Sequence, residues 1–364
     1  MPARLSLASG RTVFYGLCNS SLARLKDAMK IRFAHPSGRF WTAAALSLLL
    51  STGASAGAIT VRHELGLTQI DGIPKRVVAL GPHSLDLLLD LGIQPFGYAE
   101  NKLVDLGSLT PGQPFTDIPY VGPLVTSRPV SLGNPYAPNL ELLAALKPDL
   151  IVGDVWVSQV YPQLGKIAPT LLFEDMRPGT WKTTIRTLGR VLGREAQAQQ
   201  SIDGYTRAMA QARQALNVFT KNKRVLLFWT YGLQGRSEAV VVHQNDFASQ
   251  ALREMGFKLS SLPVNLGEES IEGVALSLES LPSINPDAVL MLYAAKARPE
   301  EAQGKTLRQL EQEWYSLPIT KNMTATKTRQ VYAFDYHPLG RMRGPHGAKI
   351  AAQQLIEALG TDKK

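Results

Sequence analysis

The strongest constraint on what this chain can fold into is a phrase that it uses twice, 138 positions apart. Asn139-Leu140-Glu141-Leu142-Leu143 leads into Lys147-Pro148-Asp149-Leu150-Ile151-Val152, and Ser277-Leu278-Glu279-Ser280-Leu281 leads into Asn285-Pro286-Asp287-Ala288-Val289-Leu290. In each copy a polar residue can cap a short helix, a Pro-Asp turn ends it, and an apolar run short enough for a buried strand follows. A chain that builds the same helix-turn-strand unit in both halves is expected to be a two-lobed α/β protein. Two facing lobes leave a cleft, and clefts are where ligands bind.

The chain has 364 residues, enough for two domains with real cores, and a formal charge of +9. That charge is concentrated at one end. Of 39 basic and 30 acidic residues, 7 and 1 lie in residues 1–56, leaving 32 and 29 in the remainder. No basic run or basic helix face of the kind a phosphate backbone demands is left, which argues against a nucleic-acid partner. The leader reads as a secretory signal: an apolar core over residues 41–50 follows Lys30, Arg32 and Arg39, and Ala54-Ser55-Ala56 supplies small residues for cleavage after Ala56. Met29 would begin a signal of ordinary length, which leaves open whether residues 1–28 are translated. The single cysteine, Cys18, lies upstream of that core, so the mature chain is expected to carry no disulfide and no lipidated cysteine. The expected destination is the periplasm, as a soluble monomer.

Past Lys75 the pattern alternates strand and helix. Residues 76–80 read as a buried strand ending at Gly81-Pro82, Ser84 as the cap of a helix over 85–91, and Gly92 as its stop. Residues 95–98, 150–152 and 169–173 read as further strands of a first lobe, 57–176. Residues 180–219 hold no proline and read as helix with a break near Gly193-Arg194-Glu195. Its first part makes a linker over 177–200, which should permit limited closure and no wide swing. The second lobe, 201–364, is expected to hold strands over 224–229, 288–292 and 329–335, a helix over 247–255 stopped by Gly256, and a closing helix over 347–359. The fold class expected is thus α/β, two lobes with mainly parallel sheets joined by a long rigid helix.

These phrases, with Leu88-Leu89-Asp90-Leu91-Gly92-Ile93, Ile167-Ala168-Pro169-Thr170 and Gly344-Pro345 before the last helix, resemble the periplasmic binding proteins that deliver ferric siderophores, haem and cobalamin to ATP-driven importers. The ferric hydroxamate and ferric dicitrate binders are most similar. The resemblance covers nearly all of residues 75–360. It implies a shallow cleft between lobes, no catalysis, no cofactor, a ferric siderophore whose iron is held by the chelator and not by the protein, and an inner-membrane ABC permease as partner. It also implies permease docking through Glu141 and Glu279, and a ligand-facing arginine at Arg128. Chemically, a carboxylate in the first turn of a helix is already stabilised by the helix dipole, so Glu141 and Glu279 also have a plain structural reason to be acids.

Arg341 and Arg343, after the last strand, are further candidates, because guanidinium groups bind the carboxylates of a chelate in paired planar hydrogen bonds. Trp156, Trp229, Tyr231 and Tyr293 follow strand ends, where open α/β sheets bind ligands, and suit the carbon-rich outside of a chelate. Core packing is the competing reading for each. Glu268-Glu269-Ser270-Ile271-Glu272 departs from the family pattern, since acids there would repel an anionic chelate. His83, His243, His337 and His346, with Tyr120 and Tyr161, raise a haem or cobalamin carrier as the alternative ligand class. A secreted metal-dependent enzyme is the alternative from another class, but no catalytic triad, phosphate loop or tight His/Cys cluster emerges. A sensor subunit that presents its ligand to a receptor is not separable from a transporter by sequence.

Overall fold

In a computed structural model, residues 57–100, 118–261, 273–294 and 305–360 are described. The leader to residue 56, residues 101–117 of the long loop and the acidic segment 268–272 lie outside them.

The chain opens with a hairpin, β1 (Ile59–His63) and β2 (Gly66–Ile70), antiparallel along its length. The first lobe follows: β3 (Val77–Leu80), α1 (Pro82–Asp90), β4 (Gly97–Ala99), β5 (Val130–Ser131), the two-residue strands β6 (Gly133–Asn134) and β7 (Ala137–Pro138), α2 (Leu140–Ala145), β8 (Leu150–Asp154), α3 (Tyr161–Leu164) and β9 (Thr170–Phe173). Its sheet has the order β5-β4-β3-β8-β9 and is parallel throughout. Both faces of such a sheet are covered, which explains why β3, β8 and β9 are buried at every position and show no alternation.

The crossover is α4 (Thr180–Leu192) and α5 (Glu195–Ala215). The break between them comes at Gly193, whose φ of 63° is a left-handed cap that a side chain would strain. The second lobe contains α6 (Asn217–Thr220), β10 (Arg224–Thr230), β11 (Glu238–Val241), α7 (Phe247–Glu254), β12 (Lys258–Leu259), β13 (Val274–Ser277), α8 (Leu281–Ile284), β14 (Ala288–Tyr293), α9 (Lys305–Ser316), α10 (Thr324–Lys327), β15 (Val331–Asp335) and α11 (Pro345–Leu359). The order β13-β11-β10-β14-β15 is parallel through β10, β14 and β15 and antiparallel at the β11 and β13 edge.

The two phrases fold alike in detail. Asn139 and Ser277 each accept a backbone N–H from the turn they open. Lys147 and Asn285, which close the two helices, both take left-handed backbone at φ 47° and 39°. One correction concerns the first helix. It starts at Pro82, so Ser84 lies inside it, buried. Proline at the first position carries helical φ already and has no N–H to satisfy, and it begins the helix before any cap at Ser84 can.

Behind the cleft the lobes share one apolar core. Leu85 and Leu88 of α1, Val191 of α4, Met209 of α5, Leu252 of α7 and Ala348 and Ala351 of α11 belong to a single buried cluster. Separating the lobes as rigid bodies would expose this surface, at about 25 cal/mol per Å².

Candidate functional site

The parallel strands of both sheets run toward each other, so their C-terminal ends converge. From the first lobe come Glu100 after β4, Asp154 at the end of β8, and Glu174 and Asp175 after β9. From the second come Trp229 and Tyr231 at the end of β10, Tyr293 ending β14, and Asp335, Tyr336 and His337 at the end of β15. Asp154 lies close under the turn into α1. A Cβ on Gly81, which has φ 121°, would stand 3.2 Å from its Oδ2, so only glycine lets the backbone pass there.

Contacts cross between the lobes at several points. The Arg343 Nη1 donates to Asp175 Oδ2 at 2.8 Å, and the Arg341 Nη2 reaches Glu100 Oε1 at 3.4 Å. Tyr120 donates its hydroxyl to Asp335 at 2.8 Å, and the Phe247 N–H donates to the Met176 carbonyl at 2.7 Å. Asp175 is held on its other oxygen by the Trp156 indole N–H at 3.1 Å, while Glu100 accepts from the Tyr98 hydroxyl. Trp229 meets Tyr231 edge to face at 5.3 Å and Tyr336 at 5.7 Å, and the Arg236 guanidinium lies 5.4 Å over the Tyr231 ring.

The electrostatics follow from burial. Asp154 is pushed well above the usual carboxylate range by burial and by the charge of Asp175. Burial raises Asp246, the cap of α7, to about 6, and raises Asp335 as well. For Arg343, burial works against the charge, but Asp175, Tyr336 and Asp246 outweigh it and hold the group above the ordinary arginine value. Burial, aided by Arg341, drives His337 well below the ordinary histidine value, so it is neutral.

Of the residues singled out in the sequence, the structure gathers Trp156, Trp229, Tyr231, Tyr293, Arg341 and Arg343 at these strand ends. Arg128 is elsewhere. It is exposed and precedes β5, and its neighbour Ser127 donates to the Pro95 carbonyl ahead of β4. In a parallel sheet the starts of the strands lie at the end away from Glu100 and Asp175. Glu141 and Glu279 are exposed in the first turns of matching units, one per lobe. His83 donates its Nδ1–H to the Met342 carbonyl, His243 accepts the Asn245 N–H, and His346 lies between Asp86 and Asp90, so each has a structural partner. Tyr161 packs on His63. Among the described residues no group of three or more His, Cys, Asp or Glu is arranged to hold a metal. Sequence reading missed Glu100, Asp154, Asp175, Tyr336 and Asp335. All sit at strand ends, the rule applied to the aromatic residues, and applying it to the acids would have found them.

Fold and site together define a two-lobed α/β ligand-binding protein with its cleft at the carboxyl ends of two sheets. Residues 77–337 match the family described as periplasmic binding protein, and the chain belongs to that family. It is 29% identical over 302 residues to the Fe(3+)-citrate-binding protein YfmC of Bacillus subtilis, covering 82% of this chain and 84% of that one. It is 26% identical over 313 residues to the Fe(3+) dicitrate-binding periplasmic protein FecB of Escherichia coli, covering 85% and 93%. Among solved structures, Staphylococcus aureus SirA complexed with staphyloferrin B superposes with a TM-score of 0.64 at 24% identity, over 83% of this chain and 98% of that one. Among the described residues no helix is long and apolar enough to cross a membrane.

Proposed function

We propose that this protein captures a ferric siderophore in the periplasm and hands it to an inner-membrane ABC importer. The observation that carries this reading is the convergence, in a periplasmic binding protein fold, of Trp156, Trp229, Tyr231, Tyr293 and Tyr336 with Arg341 and Arg343 at the carboxyl ends of both sheets. Broad aromatic faces match the organic shell of a chelate, and guanidinium N–H groups match its peripheral oxygens. Iron stays within the chelator, and the protein supplies affinity and release. The relatives named for ferric citrate support the cargo class. Glu141 and Glu279, exposed and equivalent in the two lobes, would engage basic residues on a permease.

The test is native mass spectrometry of the purified protein with ferric dicitrate, a ferric trihydroxamate, a ferric tricatecholate, haemin and cobalamin. A ferric-chelate adduct is expected. A haemin or cobalamin adduct alone would move the protein to the other ligand class of the same fold.

A further inference from the structure

Among the described residues the floor of the cleft carries more acid than base. Glu100, Asp154, Asp175, Asp246 and Asp335 face two guanidinium groups, Arg341 and Arg343, with a third, Arg236, exposed over the Tyr231 ring. Arg341 and Arg343 are already committed to acids of the opposite lobe. Asp175 is 2% exposed, and its two oxygens are fixed by Trp156 at 3.1 Å and by Arg343 at 2.8 Å. Glu100 is fully buried between the Tyr98 hydroxyl and Arg341. Each guanidinium already faces a buried carboxylate through one of its Nη groups, so a chelate carboxylate would meet a charge that is largely compensated. The surroundings oppose further negative charge too, since burial and Asp175 already hold Asp154 toward its neutral form. The Nε–H groups of Arg341 and Arg343 have no partner among the described residues.

We infer that Asp175 and Glu100 are specificity-determining residues: by acting as internal counter-ions to Arg343 and Arg341 they make the cleft select a neutral or cationic ferric chelate over an anionic one. The chemical class this favours is a ferric trihydroxamate, and the inference rests on the reading that the cleft binds ferric chelates. It runs against the simplest expectation from two cleft arginines, which is a carboxylate-bearing ligand.

The experiment is a charge ladder on one coordination core. Ferric desferrioxamine B, its N-acetyl derivative and its N-succinyl derivative are cationic, neutral and anionic with the same iron shell. Binding to the purified protein is followed by tryptophan fluorescence at low and at high salt. One uncompensated carboxylate about 10 Å from the varied group, at an effective dielectric of about 20, changes affinity roughly tenfold per unit charge. The cationic chelate is therefore expected to bind best and the anionic one worst, with the spread shrinking in high salt. In Asp175→Asn and Glu100→Gln the anionic derivative should recover at least that much relative to the cationic one. Asn and Gln keep the hydrogen-bonding shape, and if neither variant folds, the wild-type ladder and its salt dependence still decide. A flat or inverted wild-type ladder overturns the inference. So does binding of ferric dicitrate or a ferric tricatecholate, both anionic, without the trihydroxamates, and that result leaves the proposed function standing. Failure of every ferric chelate removes the function and the inference together.

Discussion

Asp149 and Asp287 occupy the same place in opposite lobes. Each carboxylate accepts the backbone N–H at the start of the neighbouring strand: Asp149 from Lys75 and Arg76, both at 2.7 Å, and Asp287 from Arg224 at 2.8 Å. Each also donates its own N–H back to the Arg76 or Arg224 carbonyl, so the Pro-Asp turn fastens helix, turn and two strands together. The copies are not equal in strength. Asp149 satisfies two backbone donors, whereas Asp287 satisfies one and adds an ion pair to an arginine side chain that is 60% exposed, which is worth little. Asp149→Ala should cost about 2–4 kcal/mol and Asp287→Ala about 1–2 kcal/mol. Urea denaturation of both variants checks the order, and equal losses would count against it.

His346, at the start of α11, lies 3.0 Å from Asp86 and 3.1 Å from Asp90 of α1, with Lys349 3.8 Å from Asp90. Burial alone would lower its pKa, but the hydrogen bond and charge of Asp86, with Asp90, hold it above the ordinary histidine value. A raised folded value means the protonated form stabilises the fold. That stabilisation is complete below the unfolded value of about 6.5 and is lost as the pH rises through the folded one. Melting curves across that range should show wild type falling toward His346→Gln with rising pH. Parallel curves would deny the latch its charge.

Asp246 carries the opposite sign. Its folded carboxyl, raised to about 6, binds a proton more tightly than the unfolded one, so stability declines from about pH 4 to about pH 6 and the deficit persists above. Asparagine keeps the cap on α7, where Asp246 accepts the Ala248 N–H at 2.7 Å. Asp246→Asn should therefore stabilise the protein by roughly 1–3 kcal/mol at pH 7 and by little below pH 4. Destabilisation at pH 7 but not below pH 4 would mean that its charge serves Arg343 more than it costs.

Two glycines in the crossover helices should respond in opposite directions to alanine. A Cβ on Gly189 of α4 would stand 2.9 Å from the Ala198 Cβ and 3.1 Å from the Arg194 carbonyl oxygen, neither of which can turn aside. Overpacking of about 1–3 kcal/mol should exceed the gain of up to about 1 kcal/mol in helix propensity. On Gly204 of α5 the nearest atom is the mobile Lys349 Nζ at 3.8 Å, so Gly204→Ala should gain about 0.5–1 kcal/mol. A stabilised Gly189→Ala would show that the two helices can separate freely.

For the proposed docking, Glu141→Ala with Glu279→Ala should abolish siderophore-dependent growth while leaving ligand affinity within about twofold, since both side chains are exposed and, among the described residues, neither makes a hydrogen bond or ion pair with the cleft residues. Both are exposed first-turn acids, so the loss of stability should be small, about 0.3–1 kcal/mol each. Unimpaired growth would dismiss these two residues as the contact.

Much of the fold was legible because its signals are local. The stops at Gly92 and Gly256, the break at Gly193 and the repeated phrase all depend on residues within a few positions of one another, as capping, turns and strand period do. Ser84 misled for a local reason too, because Pro82 outcompeted it. The cleft was legible in part. Aromatic residues and arginines at strand ends follow from the rule about where α/β sheets bind, but nothing nearby in the chain marks what those arginines touch.

By itself, then, the sequence determined two α/β units, their internal repeat, the broken helix between them and the family, since each rests on short-range pattern or on many weak matches in order. Tertiary structure alone decided that Arg128 stays at the far end of its sheet while Arg343 and Arg341 meet Asp175 and Glu100, 168 and 241 residues away. Those pairings arise when two sheets pack with their carboxyl ends facing. Burial then fixes which charges must find each other, and no spacing along the chain encodes it.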